Sequence, residues 1–119
     1  AYIGDGTLLM NNYGQIGKEA KPFRLRLHKI LDSHFDVIEL SYSGRLRKDA
    51  WCYLNYVETP RTVIIPGLSK DLDCDNDRSA KKVFSDIFRD KEIIQVYAAP
   101  LVRHGGALHC VTWELYKTK

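Results

Sequence analysis

No apolar stretch in the sequence approaches the roughly 18 residues that a helix needs to cross a bilayer, so neither a helical membrane span nor a membrane partner is expected. The opening residues, Ala1 to Gly6, hold no basic segment followed by an apolar one, and no secretory signal is legible there. Cysteine is scarce: Cys52, Cys74 and Cys110 are odd in number and lack CxxC or Cys/His ligand spacing. That pattern supports neither a disulfide framework nor a zinc site, and it fits a reducing, cytoplasmic setting. No run of Lys or Arg is present either. The 119 residues carry a net charge of +3 with a pI of about 8.8, a weak pull toward anionic partners.

Hydrophobic residues make up 45% of the chain, enough to bury the modest core of one compact domain. The sequence does not begin with Met and opens in what reads as the approach to a strand, so the chain is expected to start inside a larger protein. Thr7 to Met10 is a short apolar run bounded by Gly6 and by Asn11, Asn12 and Gly14, which predicts a buried strand. A helix should follow. Pro22 suits its first position, and Phe23, Leu27, Ile30 and Leu31 form one apolar face. Val37 to Leu40 predicts a second strand. Beyond a basic connector, Arg45 to Lys48, strands are expected around Trp51 to Glu58 and over Thr62 to Ile65. The acidic loop Asp71 to Asn76 is expected to cap a helix with its apolar face on Ala80, Val83, Phe84, Ile87 and Phe88. Strands at Ile93 to Val96 and Leu108 to Tyr116 complete the reading.

The chain also resembles itself. Thr7 to Met10 lies 55 positions before Thr62 to Ile65, and Val37 to Leu40 lies 56 positions before Ile93 to Val96. Both helices fall between matching strands, so the chain reads as two copies of a strand, helix, strand unit joined by an extra strand. The same shift carries Asn55 onto Cys110. Equivalent strand positions would bring those two residues together at the repeat axis.

The segment richest in chemistry is Arg103-His104-Gly105-Gly106-Ala107-Leu108-His109-Cys110-Val111-Thr112. Two glycines permit a turn or close approach that a Cβ would block, and Cys110 stands at the start of the predicted strand. A thiol is a nucleophile in proportion to its thiolate fraction, which rises near cations or oriented N–H groups, and Arg103, His104 and His109 are close in sequence. From the residues alone, Cys110 is as well explained as a small apolar core residue beside an ordinary loop.

The GG-x-x-His-Cys-x-Thr pattern of Gly105 to Thr112 resembles the catalytic cysteine motif of the agmatine deiminase and Porphyromonas-type peptidylarginine deiminase family. Cys52 to Tyr56 is similar to that family's Ser-Tyr-x-Asn segment, Val63 to Gly67 to its Val-x-x-Pro strand, and the acidic residues before Ala80 to its Asp-x-x-Ala helix. The resemblance covers Trp51 to Thr112 well and the first 50 residues loosely. It implies an α/β fold of two ββαβ units from a pentein-like α/β propeller, a partial ring. Residues 1–119 would form a single C-terminal fragment of the catalytic domain, with one unit over about residues 1–50 and the other over 51–119.

By the same resemblance, Cys110 attacks the guanidinium carbon of agmatine or of free or peptidyl arginine. Asn55 is the second catalytic residue, and Gly105, Gly106 and His109 shape the substrate site. No metal or organic cofactor is implied, and the partners are a small cationic guanidinium substrate and the rest of the ring, or a second copy. The family's base His and guanidinium-binding carboxylates are expected upstream of Ala1, and the isolated fragment is expected to be inactive. His28 and His34 read as surface or packing residues, and His109 as pointing to the opposite strand face from Cys110. Trp113, Glu114, Ala107 and Leu108 depart from the agmatine deiminase pattern, which leaves the substrate within the class open.

Two rivals stand beside this reading: a self-contained cysteine hydrolase with His104 as base, and a noncatalytic interaction module. Two weaker signals are set aside. Asp71, Asp73, Asp75 and Asp77 alternate as in a calcium loop, but Asn76 replaces the required Gly and Lys82 the bidentate Glu, so a solvated acidic cap is expected. Arg45, Arg47 and Lys48 with Trp51, Tyr53 and Tyr56 suggest a nucleic-acid surface. Trp51, Tyr53 and Val57, however, share one face of the predicted strand and read as core, so no nucleic-acid partner is expected.

Overall fold

The computed structural model describes residues 1–113 and 115. Among these residues six strands and three α-helices follow in order: β1 (Tyr2–Gly4), β2 (Thr7–Asn11), α1 (Lys21–Leu31), β3 (Asp36–Leu40), β4 (Val57–Glu58), β5 (Thr62–Gly67), α2 (Asp75–Ile87), β6 (Glu92–Tyr97) and α3 (Ala99–Val102). Two three-stranded sheets form, ordered β1-β2-β3 and β4-β5-β6. In each, the first pair is antiparallel and the second parallel, with a helix making the crossover.

The internal repeat is visible in the registers. Leu8 sits opposite Val37 in the first sheet, and Val63 opposite Ile93 in the second. These are the positions that the shifts of 55 and 56 superimpose. The structure adds β1 to the first copy, so that both copies read strand, strand, helix, strand. The turn from β1 to β2 runs through Gly4, Asp5 and Gly6, all with positive φ, a conformation that glycine adopts without a Cβ clash.

One hydrophobic cluster joins the two copies. Leu9, Leu40 and Tyr42 come from the first, and Tyr53, Val63, Ile65, Ala80, Phe84 and Phe88 from the second. Helix α2 buries Ala80 and Phe84 as its spacing predicts, and Phe84 stacks with Phe88 and meets the Tyr56 ring edge-on. Helix α1 differs: none of its residues is buried, and Ile30 is 62% exposed. Its apolar stripe exists, yet only Leu27 and Leu31 are half-covered, while Phe23 leans on Tyr13.

Three expectations are corrected. The strand expected at Trp51 to Glu58 is instead a 3-10 turn over Ala50–Leu54 followed by the two-residue β4. The turn buries Ala50, Cys52 and Tyr53, so that the adjacent Cys52 and Tyr53 both face inward as strand alternation would not allow, while Trp51 is 37% exposed and is not core. The strand expected at Leu108 to Tyr116 begins as a 3-10 turn over His109–Val111; its residues Glu114 and Tyr116 lie outside the described residues. Here the backbone bonds locally and to Asn55 instead of to a neighbouring strand. The acidic loop does not cap α2 with a side chain. Cys74 holds the N-cap position without a side-chain bond, and the Arg78 guanidinium gathers Asp73 and Asp75.

Candidate active site

The Ala50–Leu54 turn is short, but it is held from both copies. It lies against β2 and β5, and the buried Asn11 amide donates to the Trp51 carbonyl at 3.4 Å. Asn55 ends the turn as its C-cap residue, donating its N–H to the Cys52 carbonyl at 2.8 Å. A half-buried amide is thus fixed at the end of a packed element.

Cys110 reaches this amide from the other end of the unit. The Asn55 side-chain Nδ2 donates to Cys110 Sγ at 3.1 Å, and the Cys110 N–H donates to Asn55 Oδ1 at 3.3 Å. The His109 N–H donates to the Asn55 carbonyl at 3.2 Å. Three bonds therefore tie one residue to the turn carrying the thiol. A backbone hydrogen bond from Ala107, joined by the Asn55 amide, holds the Cys110 thiol below its ordinary pKa by stabilising the thiolate. Cys52 is the contrast: burial pushes its thiol up to about 12.

The paired glycines do different work. Gly105 takes φ +85, which strains any residue with a Cβ. Gly106 lies close behind the sulfur: a Cβ there would stand 3.2 Å from the Cys110 Cβ and 3.7 Å from its Sγ. The two glycines permit the turn and the close approach, respectively.

Asn55 and His109 line a cleft of about 410 Å³ together with Ala1, Tyr2, Leu54, Tyr56 and Glu58. His109 also borders a neighbouring hollow of about 200 Å³ with Glu58, Thr112 and Trp113. Cys110 is exposed and is not among the residues lining either cleft. Because His109 and Cys110 occupy a 3-10 turn, the strand alternation expected to separate them does not apply. Among the described residues no hydrogen bond or ion pair joins His104 to Cys110. His28 and His34 sit away from the cleft: His28 lies beside Asp32 and Glu39, and His34 packs against Phe35.

One residue of this neighbourhood escaped the sequence reading. Asp77, expected in a solvated acidic cap, is fully buried and accepts from Tyr53 Oη, the Leu68 N–H, the Ser69 N–H and Ser69 Oγ at 2.6 to 2.8 Å. Burial opposes its charge, but the bonds from Ser69, Leu68 and Tyr53 outweigh it and hold the carboxyl below its ordinary pKa. Its helical spacing to Ala80 and Phe84, which places it on the buried face of α2, was the available signal. The charge-rich loop around it masked that signal. Among the described residues, no group of three His, Cys, Asp or Glu side chains is placed to hold a metal ion, and no helix is long and apolar enough to cross a membrane.

The family model for Porphyromonas-type peptidyl-arginine deiminase matches residues 9–115. A protein of Lactococcus lactis subsp. lactis (strain IL1403), assigned as an agmatine deiminase, is 34% identical over 67 residues, covering 56% of this chain and 17% of its own length. The agmatine deiminase of C. jejuni shares the fold at a TM-score of 0.61 and 23% identity, over 92% of this chain and 35% of the other. A cysteine-to-serine variant of that enzyme with substrate bound gives a TM-score of 0.60 and 22% identity, over 91% of this chain and 33% of the other. The chain thus spans about a third of these solved relatives and less of the curated one.

Proposed function

The chain belongs to the Porphyromonas-type peptidyl-arginine deiminase family, and from that premise we propose that it carries the nucleophile of a guanidine-hydrolysing site, with Cys110 as the attacking sulfur. The observation that carries this reading is the Asn55 amide bonded to a Cys110 thiol whose pKa is lowered. Small guanidinium compounds are the substrate class, agmatine or an arginine derivative, in keeping with the substrate held by the C. jejuni relative.

In this mechanism the Cys110 thiolate attacks the planar guanidinium carbon and forms a C–S bond. The tetrahedral adduct collapses, the C–N bond breaks, and the protonated nitrogen leaves as ammonia. A thiouronium-like intermediate remains on the sulfur. Water then adds to the same carbon and loses its proton, the C–S bond breaks, and the product departs as a carbamoyl or citrulline-type urea with the thiolate restored. Covalent catalysis thereby divides one difficult displacement into two steps. Asn55 orients the sulfur and donates to it, while Gly105 and Gly106 shape the turn that presents it. His109 borders the cleft where substrate enters.

The two three-stranded sheets would be two units of a longer propeller, since the solved relatives are about three times the length of this chain. Exposed Ile38, Ile94 and Val96 on the outer strands offer apolar surface for the remainder of the ring or for another copy. The base His and the guanidinium-binding carboxylates would then come from that remainder. On this reading the 119 residues alone are inactive, and the enzyme works in a reducing, cytoplasmic setting that keeps Cys110 a free thiol.

The test is covalent labelling of the intact protein by a haloacetamidine, a reagent that mimics the planar cation. Attachment at Cys110, blocked by agmatine and abolished in Cys110→Ser, is the expected result. Absence of label at Cys110 in the intact protein would overturn the assignment.

A further inference from the structure

Resting on the reading of Cys110 as nucleophile, we infer that buried Asp77 is a positioning residue for it, acting through the Tyr53 hydroxyl on the turn that ends in Asn55.

Asp77 never reaches the cleft. Its carboxylate is fully buried on the first turn of α2 and has no cationic partner among the described residues. A charge in that position is costly unless its oxygens are hydrogen-bonded. Here they are: Oδ1 takes the Tyr53 hydroxyl and the Leu68 N–H, each at 2.8 Å, and Oδ2 takes the Ser69 N–H at 2.8 Å and the Ser69 hydroxyl at 2.6 Å. The Leu68–Ser69 bonds belong to the loop between β5 and α2. The Tyr53 bond is different, because it fastens α2 to another element, the Ala50–Leu54 turn.

Tyr53 itself is fully buried, with its ring 5.1 Å from that of Tyr42. Tyr42 donates its hydroxyl to Asn11, whose own amide holds the Trp51 carbonyl. The turn is therefore gripped at Trp51 from the first copy and at Tyr53 from the second. Two residues beyond Tyr53 stands Asn55, which makes three bonds to His109 and Cys110. A five-residue 3-10 turn has weak internal bonding, so its setting depends on such outside grips. Loss of the Asp77 grip frees the turn to shift, which lengthens and misaligns the 3.1 Å N–H to sulfur contact.

The experiment measures the rate of iodoacetamide alkylation at Cys110, mapped by peptide mass, between pH 6 and 9 on the full chain. Tyr53→Phe keeps the ring and removes only the hydroxyl. It should slow Cys110 alkylation at pH 7 about threefold, because the thiolate fraction falls, and move the profile to higher pH. In an Asn55→Ala background the same substitution should change nothing further, since Asn55 transmits the effect. Asp77→Asn, which removes the charge that the Tyr53 hydroxyl and the Ser69 donors face, should act in the same direction and carries the test if Tyr53→Phe fails to fold. An unchanged Cys110 rate in a folded variant, or an equal drop with and without Asn55, would overturn the inference. Failure of haloacetamidine labelling would sink the deiminase reading instead, and leaves this comparison of thiol reactivity intact.

Discussion

Asn55 and Cys110, separated by 55 residues, exchange two hydrogen bonds: amide nitrogen to sulfur at 3.1 Å and backbone N–H to amide oxygen at 3.3 Å. The reciprocity fixes which end of the amide faces the thiol, since the oxygen is already engaged by the backbone. Asn55→Ala is therefore expected to slow Cys110 alkylation at neutral pH by about fivefold, through loss of a donor to the thiolate. Asn55→Asp should slow it more, by setting a negative charge against the sulfur. Peptide-mapped alkylation rates check both.

The three cysteines should separate sharply in reactivity. Cys110 is exposed with a lowered thiol pKa, Cys74 is half-buried, and Cys52 is buried with its thiol pushed up to about 12. In native protein at pH 8 Cys110 should alkylate first, and Cys52 only after denaturant is added. The pH signs are opposite. The Cys110 contribution to stability is present above its ordinary value of 9.0 and is lost as pH falls through its lowered value. The Cys52 contribution is present below 9.0 and is lost as pH rises toward 12, so alkaline unfolding is expected in that interval. Thermal midpoints across pH 8 to 12, compared with Cys52→Ala, measure it.

The paired glycines should fail in different ways. Gly105→Ala places a Cβ on a φ of +85 and should cost about 1–2 kcal/mol of stability. Gly106→Ala has no such backbone conflict, but its Cβ would stand 3.2 Å from that of Cys110. Its stability should change less, while Cys110 alkylation changes more. Urea midpoints read alongside alkylation rates distinguish the two.

Phe84 is fully buried and meets both Tyr56 and Phe88. Phe84→Ala should destabilise the chain by about 3–5 kcal/mol through the cavity and the lost ring contacts. Tyr56 follows Asn55 directly, so loosening of its ring should also raise hydrogen exchange at the His109 amide.

The sequence by itself determined the repeat, the α/β class, the faces of α2 and the pairing of residues 55 and 110, because these depend on local periodicity and on a shift between two similar segments. It misread Trp51 to Leu54 and His109 to Val111 as strand. Runs this short are too brief for periodicity to decide, and the backbone bonds that close each turn, Asn55 N–H to the Cys52 carbonyl and Thr112 N–H to the His109 carbonyl, exist only in the fold. Only the tertiary structure decided that Asp77 lies inside. A carboxylate in an acidic loop looks solvated until the Tyr53 hydroxyl and the Leu68 and Ser69 donors, 24, 9 and 8 residues away, converge on it. Likewise the stripe on α1 was legible, but its exposure was not, since amphipathic spacing records a face fit for burial and cannot say what covers it.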